Sequence, residues 1–409
     1  MMTTETPIQP QQMKHSHYGT IALIAIITIA FLVGGYYIYT LYRNEKTTLE
    51  SEIGTLNVQL DALKEQMKNK SQVVFTNISL THLYNNIKSS VVMIRGFITH
   101  TSFFTQTITE VQGSGFVYNY TKTPRMVIIT NNHVVDGVSD ISVTFTNSTA
   151  YSANVLGRDV YADLAVLEAT NAPAKQFQPL NITHSSTLEV GDPVIAIGNP
   201  FGLTGSMTTG TVSQLGRTIT ENTTGGYAIA NIIQFDAPIN PGNSGGSLLN
   251  SRGQVVGITT AIVTNSQGLG FAIPSNAILR EVAWLIESGT YKLHSWLGVQ
   301  GTDMDYYIAN AMHTDITYGW LVTAVGSGGP ADTILNGGTQ EVQIGGSTIP
   351  IGGDVIVAMN GTSITNGDNL SAYLEERTQP DNILILTIKR DAVSSLLNVS
   401  ITLGTRPQP

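Results

Sequence analysis

A serine stands among glycines in Gly242-Asn243-Ser244-Gly245-Gly246, after the apolar run Ile232-Ile-Gln-Phe and a turn containing Pro238 and Pro241. Such a loop can expose the Ser244 hydroxyl while aiming the N–H groups of Gly242 and Ser244 at one point. One short stretch then offers both a nucleophile and an anion-stabilising pocket. A hydroxyl attacks only if a base takes its proton, and an imidazole base needs an acceptor on its second nitrogen to fix its tautomer. His133, in Thr130-Asn-Asn-His-Val-Val, follows one apolar run, and Asp163, in Tyr161-Ala-Asp-Leu-Ala-Val-Leu, opens another. Taken singly, His133 suits a hydrogen-bonded core histidine, Asp163 a strand-end turn residue, and the Gly-Ser-Gly run a plain turn. Taken together, in the order His, Asp, Ser and each at the end of an apolar run, they are the parts of acyl transfer to serine.

The elements that must hold them are strands. From about Thr81 the pattern becomes short β-rich runs: Val91-Val-Met-Ile, Gly115-Phe-Val-Tyr, Met126-Val-Ile-Ile-Thr, Ile141-Ser-Val-Thr-Phe and Leu164-Ala-Val-Leu. A second set follows at Pro193-Val-Ile-Ala-Ile, Gly210-Thr-Val, Ile232-Ile-Gln-Phe, Val255-Val-Gly-Ile and Gly270-Phe-Ala-Ile. Two groups of about six strands, parted near residues 180–190, predict a mainly β chain with two antiparallel barrels packed together. From Thr81 onward helical spacing is scarce until Ser275–Gly289, where Ile278, Val282, Leu285 and Ile286 share a face, and a further helix is expected at Asn369–Arg377. After the first of these helices, runs at Trp320-Leu-Val-Thr-Ala-Val, Asp354-Val-Ile-Val-Ala-Met and Ile383-Leu-Ile-Leu-Thr-Ile predict a further small β domain.

Composition narrows the chemistry. The 409 residues carry a net charge of −9 without a Lys/Arg cluster, which argues against a nucleic-acid partner. There are no cysteines, so disulfides, thiolate catalysis and cysteine-ligated zinc are excluded. The 8 histidines form no His-Glu-x-x-His pattern, and no metal or cofactor is called for.

The motifs Thr130-Asn-Asn-His-Val-Val, Asp163-Leu-Ala-Val, Ile197-Gly-Asn-Pro-Phe-Gly, Gly210-Thr-Val-Ser-Gln-Leu-Gly-Arg, Asn240-Pro-Gly-Asn-Ser-Gly-Gly and Gly270-Phe-Ala-Ile-Pro resemble the HtrA/Deg family of serine proteases. The likeness runs with gaps from about residue 85 to 405. It implies a chymotrypsin-like double barrel over 78–290 and a single PDZ domain over 295–405. His133 would be the general base, Asp163 its orienting partner and Ser244 the nucleophile. Gly242, Asn243 and Ser244 would form the oxyanion hole. Ile239, Val263 and Leu269 match positions lining the primary pocket; all are aliphatic, which predicts cleavage after small aliphatic residues. The segments Asn199-Pro-Phe-Gly-Leu and Thr260–Gly270 match loops that switch between ordered and collapsed states. Trp296-Leu297-Gly298-Val299 matches the loop that captures peptide carboxy termini in PDZ domains.

The amino-terminal region has its own signature. After a tail over 1–18, no charged residue occurs from Gly19 to Tyr42, enough helix to cross the roughly 30 Å hydrocarbon core. Tyr36, Tyr37, Tyr39 and Tyr42 then form an interfacial belt, so 19–42 is expected to be a retained single-pass anchor. Over 43–70, Leu49, Ile53, Leu56, Leu60, Leu63 and Met67 alternate spacings of four and three, either a short coiled-coil stalk or a single amphipathic helix. The sequons at Asn77, Asn119 and Asn222 lean towards an extracytoplasmic location. The expected function is a membrane-anchored, trimeric endopeptidase acting on unfolded or damaged proteins. The alternative is a chaperone or peptide-sensing scaffold with an idle protease.

Overall fold

A computed structural model of the chain describes residues 32–55, 79–102, 105–200, 205–220, 228–260, 268–390, 393 and 395–407. The chain divides into two units, Met1–Val74 and Phe75–Pro409. In the first, residues 32–55 form helix α1, whose Leu32, Tyr36, Tyr37, Leu41, Leu49 and Ile53 are exposed. Among the described residues no helix is long and apolar enough to cross a membrane. Residues 19–31 of the expected anchor and 56–70 of the expected stalk lie outside the described residues.

The second unit begins with a helix where the sequence reading expected strands. In α2 (Leu80–Ile87) the residues Leu80, Leu83, Tyr84 and Ile87 recur at helical spacing and pack on the core. Ser79 starts it, its hydroxyl accepting the His82 N–H at 3.2 Å. The Tyr84 hydroxyl donates to the Gly205 carbonyl at 2.6 Å.

Six strands then close the first barrel: β1 (Val91–Thr101), β2 (Gln106–Tyr120), β3 (Arg125–Thr130), β4 (Ser139–Thr144), β5 (Ala150–Asp159) and β6 (Leu164–Ala169), in the order β1-β2-β3-β6-β5-β4. The second closes in the order β10-β11-β12-β9-β8-β7 from β7 (Pro193–Gly198), β8 (Ser206–Thr220), β9 (Ala228–Phe235), β10 (Ser247–Asn250), β11 (Val255–Thr260) and β12 (Gly270–Pro274). The pleat sends alternate residues to two cores. Ile128, Val117 and Val92 fill the interior of the first barrel. Val127, Ile129 and Phe116 join Ile195, Ile197, Ile232 and Ile258 in a layer shared by both barrels. Each such Val, Ile or Phe contributes roughly 1.5–3 kcal/mol through burial. Strand β5 escaped the sequence reading because its residues are mostly exposed or half-buried and polar.

Helix α3 (Ser275–Ser288) closes the barrels on one side with Ile278, Val282 and Leu285, and Gly289 ends it in the left-handed conformation at φ 78°. Beyond it, β13 (Ser295–Trp296) starts a third β assembly. Its main sheet runs β14 (Val299–Asp303), β15 (Trp320–Val325), β18 (Val355–Met359), β20 (Ile383–Lys389) and β21 (Leu397–Thr402), so β14 lies at an edge. The short α4 (Tyr306–Ala311) follows β14, and the glycine-rich insert folds as the hairpin β16 (Gln340–Ile344)–β17 (Ser347–Ile351). Short β19 (Thr362–Ser363) pairs with β18, and β22 (Gly404–Thr405) pairs with β13. Helix α5 (Gly367–Arg377) begins two residues earlier than expected, because the Asn366 side chain accepts the Asn369 N–H at 2.9 Å. This assembly is tied to the second barrel: Asp368 accepts the Thr218 N–H at 2.8 Å and pairs with Arg217 at 3.3 Å, while Asn231 donates to Glu376 at 2.6 Å.

Candidate active site

Strand β3 ends at Thr130, and a single 3-10 turn, Asn132–Val134, carries His133 out of the first barrel. Asp163 precedes β6 in a left-handed conformation, φ 49°, with no exposure. Its backbone carbonyl accepts from the Asn132 N–H at 3.0 Å and the Asn131 side chain at 3.1 Å, which pins the two loops together. The carboxylate grips the histidine twice: Oδ1 accepts the His133 backbone N–H at 2.9 Å, and Oδ2 faces Nδ1 at 2.8 Å. A carboxylate can only accept, so the ring proton sits on Nδ1 and the lone pair on Nε2. That is the tautomer a hydroxyl nucleophile requires.

The Ser244 loop meets the same rim. Ser114, on β2, donates its backbone N–H to the Ser244 carbonyl at 2.8 Å. Its neighbour Gly113 lies between the two loops: a Cβ there would stand 2.6 Å from the Val134 side chain and 3.3 Å from the Ser244 carbonyl. Gly245 is more constrained still, with φ 86° and only 2.0 Å from a notional Cβ to the Ser114 carbonyl. No residue but glycine fits this approach. The serine itself is mostly buried, 8% exposed. Among the described residues the Gly242 N–H makes no backbone hydrogen bond, as a donor reserved for an oxyanion requires.

The remaining residues of interest separate into three places. Ile239 is half-buried against the second-barrel core, Leu269 is 44% exposed before β12, and Val263 lies outside the described residues. Of the loops matched to switch segments, 201–204 and 261–267 likewise lie outside them. Trp296, Leu297, Gly298 and Val299 line a groove of ≈ 230 Å³ with Leu370 and Leu374 of α5, and Ala228 and Ala230 of β9 close it from the barrel side.

Two features carry no sequence signal strong enough to have been singled out. One is a pair of buried hydroxyls, Ser114 and Thr259, beneath the serine loop. The other is a buried ionic cluster at the barrel's junction with the third assembly. There His294 faces Asp159 Oδ2 at 2.5 Å through Nε2 and Glu375 Oε2 at 3.2 Å through Nδ1, while the Arg280 guanidinium bonds Glu281 and Glu375. Burial works to lower the His294 pKa, but the bonds to Asp159 and Glu375 together raise it to about 10. Burial works to raise that of Glu375, yet His294 and Arg280 bring it to about 2. Burial, with Asp159 nearby, pushes Glu281 well above the usual carboxylate range. Asp159, Glu281 and His294 have the spacing of a metal-binding group. With both ring nitrogens donating to carboxylates, however, His294 keeps no lone pair for a cation. The cluster is an ion-pair network.

Comparison with known proteins agrees with this geometry. A trypsin-like peptidase domain matches residues 113–258, from Gly113 through the serine loop into β11. The chain is 35% identical over 336 residues to Protease Do-like 1, chloroplastic, of Arabidopsis thaliana, covering 81% of this chain and 72% of that protein. The chain belongs to the HtrA/Do-like family of serine proteases. The periplasmic pH-dependent serine endoprotease DegQ of Escherichia coli is 36% identical over 72% of this chain, which spans only 60% of DegQ. Among solved structures, the HtrA-type protease AlgW with decapeptide superposes with a TM-score of 0.60 at 28% identity, over 81% of this chain and 100% of that one. In family terms the two six-stranded barrels are the chymotrypsin-like core, with the paired loops at its rim.

Proposed function

We propose that this HtrA/Do-like chain is a membrane-anchored serine endopeptidase that cleaves unfolded or damaged proteins on the extracytoplasmic side. The observation that carries it is the double grip of Asp163 on His133, on the rim that also holds the Ser244 loop. In this reading Nε2 of His133 takes the Ser244 proton as Oγ attacks the scissile carbonyl. Asp163 stabilises the resulting imidazolium, and the Gly242 and Ser244 amides, with Asn243 shaping the loop, receive the oxyanion. The proton then passes from the imidazolium to the leaving amine, and water repeats the cycle on the acyl-enzyme. Ile239, Val263 and Leu269 set an aliphatic pocket that favours small apolar residues, because a buried charge there has no partner.

Residues 295–405 are read as a PDZ domain. Edge strand β14 can accept a peptide as an added strand, and the ≈ 230 Å³ groove between Trp296–Val299 and α5 can receive its carboxy-terminal side chain and carboxylate. The solved relative bears a decapeptide, which supports a peptide-binding role. Anchoring rests on the uncharged stretch 19–42, and extracytoplasmic placement on the periplasmic and chloroplastic relatives. Homotrimers, aided by the 43–70 stalk, complete the reading.

Incubation of the wild-type chain and Ser244→Ala with casein tests it. The wild type is expected to cut casein after Val, Ala or Ile, and Ser244→Ala to leave it intact. Cleavage chiefly after Arg contradicts the pocket. Casein left intact by both proteins but protected from aggregation favours a chaperone.

A further inference from the structure

Two buried hydroxyls hold the Ser244 loop from opposite barrels. Ser114 of β2 is fully buried; its Oγ donates to the Gly242 carbonyl at 2.6 Å and accepts the Asn199 N–H at 2.8 Å. Thr259 of β11 is 1% exposed, and its Oγ1 donates to the Asn243 carbonyl at 2.7 Å. Consecutive carbonyls of the nucleophile loop are therefore each capped by a hydroxyl, one from each barrel. Backbone bonds reinforce both contacts: Ser114 N–H to the Ser244 carbonyl at 2.8 Å, and Gly245 N–H to the Thr259 carbonyl at 2.9 Å.

The direction of the loop amides follows from peptide planarity. In a trans peptide the N–H points away from the carbonyl that precedes it. Anchoring the Asn243 carbonyl on Thr259 thus turns the Ser244 N–H to the opposite side. Anchoring the Gly242 carbonyl on Ser114 turns the Asn243 N–H the other way, onto the Asn240 carbonyl at 3.0 Å, and so restrains rotation about the Cα–C bond of Gly242, the residue that carries the second donor. Gly242 sits at φ 93°, where glycine has wide freedom, so this residue gains most from an external restraint. The Asn199 N–H takes a lone pair of Ser114 Oγ and leaves its proton for Gly242.

We infer that Ser114 and Thr259 act as an inter-barrel clamp that aims the Gly242 and Ser244 amides at the developing oxyanion. They are positioning residues, acting through the loop, and the inference rests on Ser244 being the nucleophile. Because the oxyanion exists only at and after the transition state, misaimed donors lower kcat and leave KM nearly unchanged.

The full chain is assayed on a fluorogenic peptide with Val at the cleaved position, with active sites counted by fluorophosphonate titration. Thr259→Val keeps the shape and removes the hydroxyl, and Ser114→Ala removes the other. Each is expected to lower kcat per titrated site by about 10–100-fold, below the loss of a whole oxyanion donor, with KM within about 3-fold. Thr259→Ser, which keeps a hydroxyl, should recover most of the loss. The clamp is overturned by an unchanged kcat in both hydroxyl-less variants, by a loss confined to KM, or by Thr259→Ser being no better than Thr259→Val. A wild type that is neither phosphonylated nor active sinks the Ser244 reading instead. If no variant folds, a crystal structure of the wild type decides: a Gly242 carbonyl turned away from Ser114 Oγ overturns the clamp.

Discussion

At Asp163 the outcome turns on which atoms can donate. Its Oδ1 is committed to the His133 backbone N–H and its Oδ2 to Nδ1. In Asp163→Asn the amide oxygen is expected to stay with the backbone N–H, which puts the NH₂ group against Nδ1. The ring then carries its proton on Nε2 and cannot act as base. The expected result is a fall of about 10⁴-fold in kcat with the fold intact, seen as an unchanged melting transition. An Asn variant with near wild-type turnover removes Asp163 from the mechanism. His133, Asp163 and Ser244 were legible in the sequence because their side-chain types announce chemistry and each stands close to an apolar run. Ser114 and Thr259 were not, since what matters is a bond to a loop carbonyl, 128 positions away in the case of Ser114. Its only signal was the flanking pair Gly113 and Gly115.

Among the elements, β5, α3, α5 and the segment leading into β13 meet at the His294 cluster. Asp159 closes β5, Arg280 and Glu281 lie on α3, and Glu375 on α5. The His294 pKa is raised from 6.5 to about 10, so its contribution to stability is complete below about pH 6.5 and is lost as pH rises through about 10. Glu375 is lowered from 4.5 to about 2, so its share is present above about pH 4.5 and is lost as pH falls through about 2. Glu281, pushed upward by burial, favours the folded state at low pH and loses that contribution as pH rises above about 4.5. Thermal unfolding of the wild type is therefore expected to weaken steadily from pH 7 to 10. His294→Gln should melt lower at pH 7 and show a shallower decline over that range; parallel curves for the two proteins rule the network out. The cluster was invisible in the sequence because its members come from distant segments and each reads alone as a surface charge. Helix α2 was missed for a different reason: its Leu80, Leu83, Tyr84 and Ile87 sit beside the strong β signal of Val91–Ile94, which masks so short a helical period.

For the molecule as a whole, the two-barrel plan was legible because alternating apolar runs of five or six residues recur with turns between them, and closure follows from their number. The boundaries of the third assembly were harder to read, because its hairpin β16–β17 is polar and glycine-rich. Assembly depends on the amino-terminal helix in the account proposed above. Deleting residues 45–70 is expected to weaken self-association in sedimentation experiments, and an unchanged oligomeric state removes the stalk from it. Catalysis by Ser244 is the central claim, and a fluorophosphonate probe on the full-length wild type tests it most directly. Mass spectrometry is predicted to find a single stoichiometric adduct on Ser244, formed far more slowly in His133→Ala. A folded wild-type protein that stays unlabelled, or carries the adduct on another serine, contradicts the account.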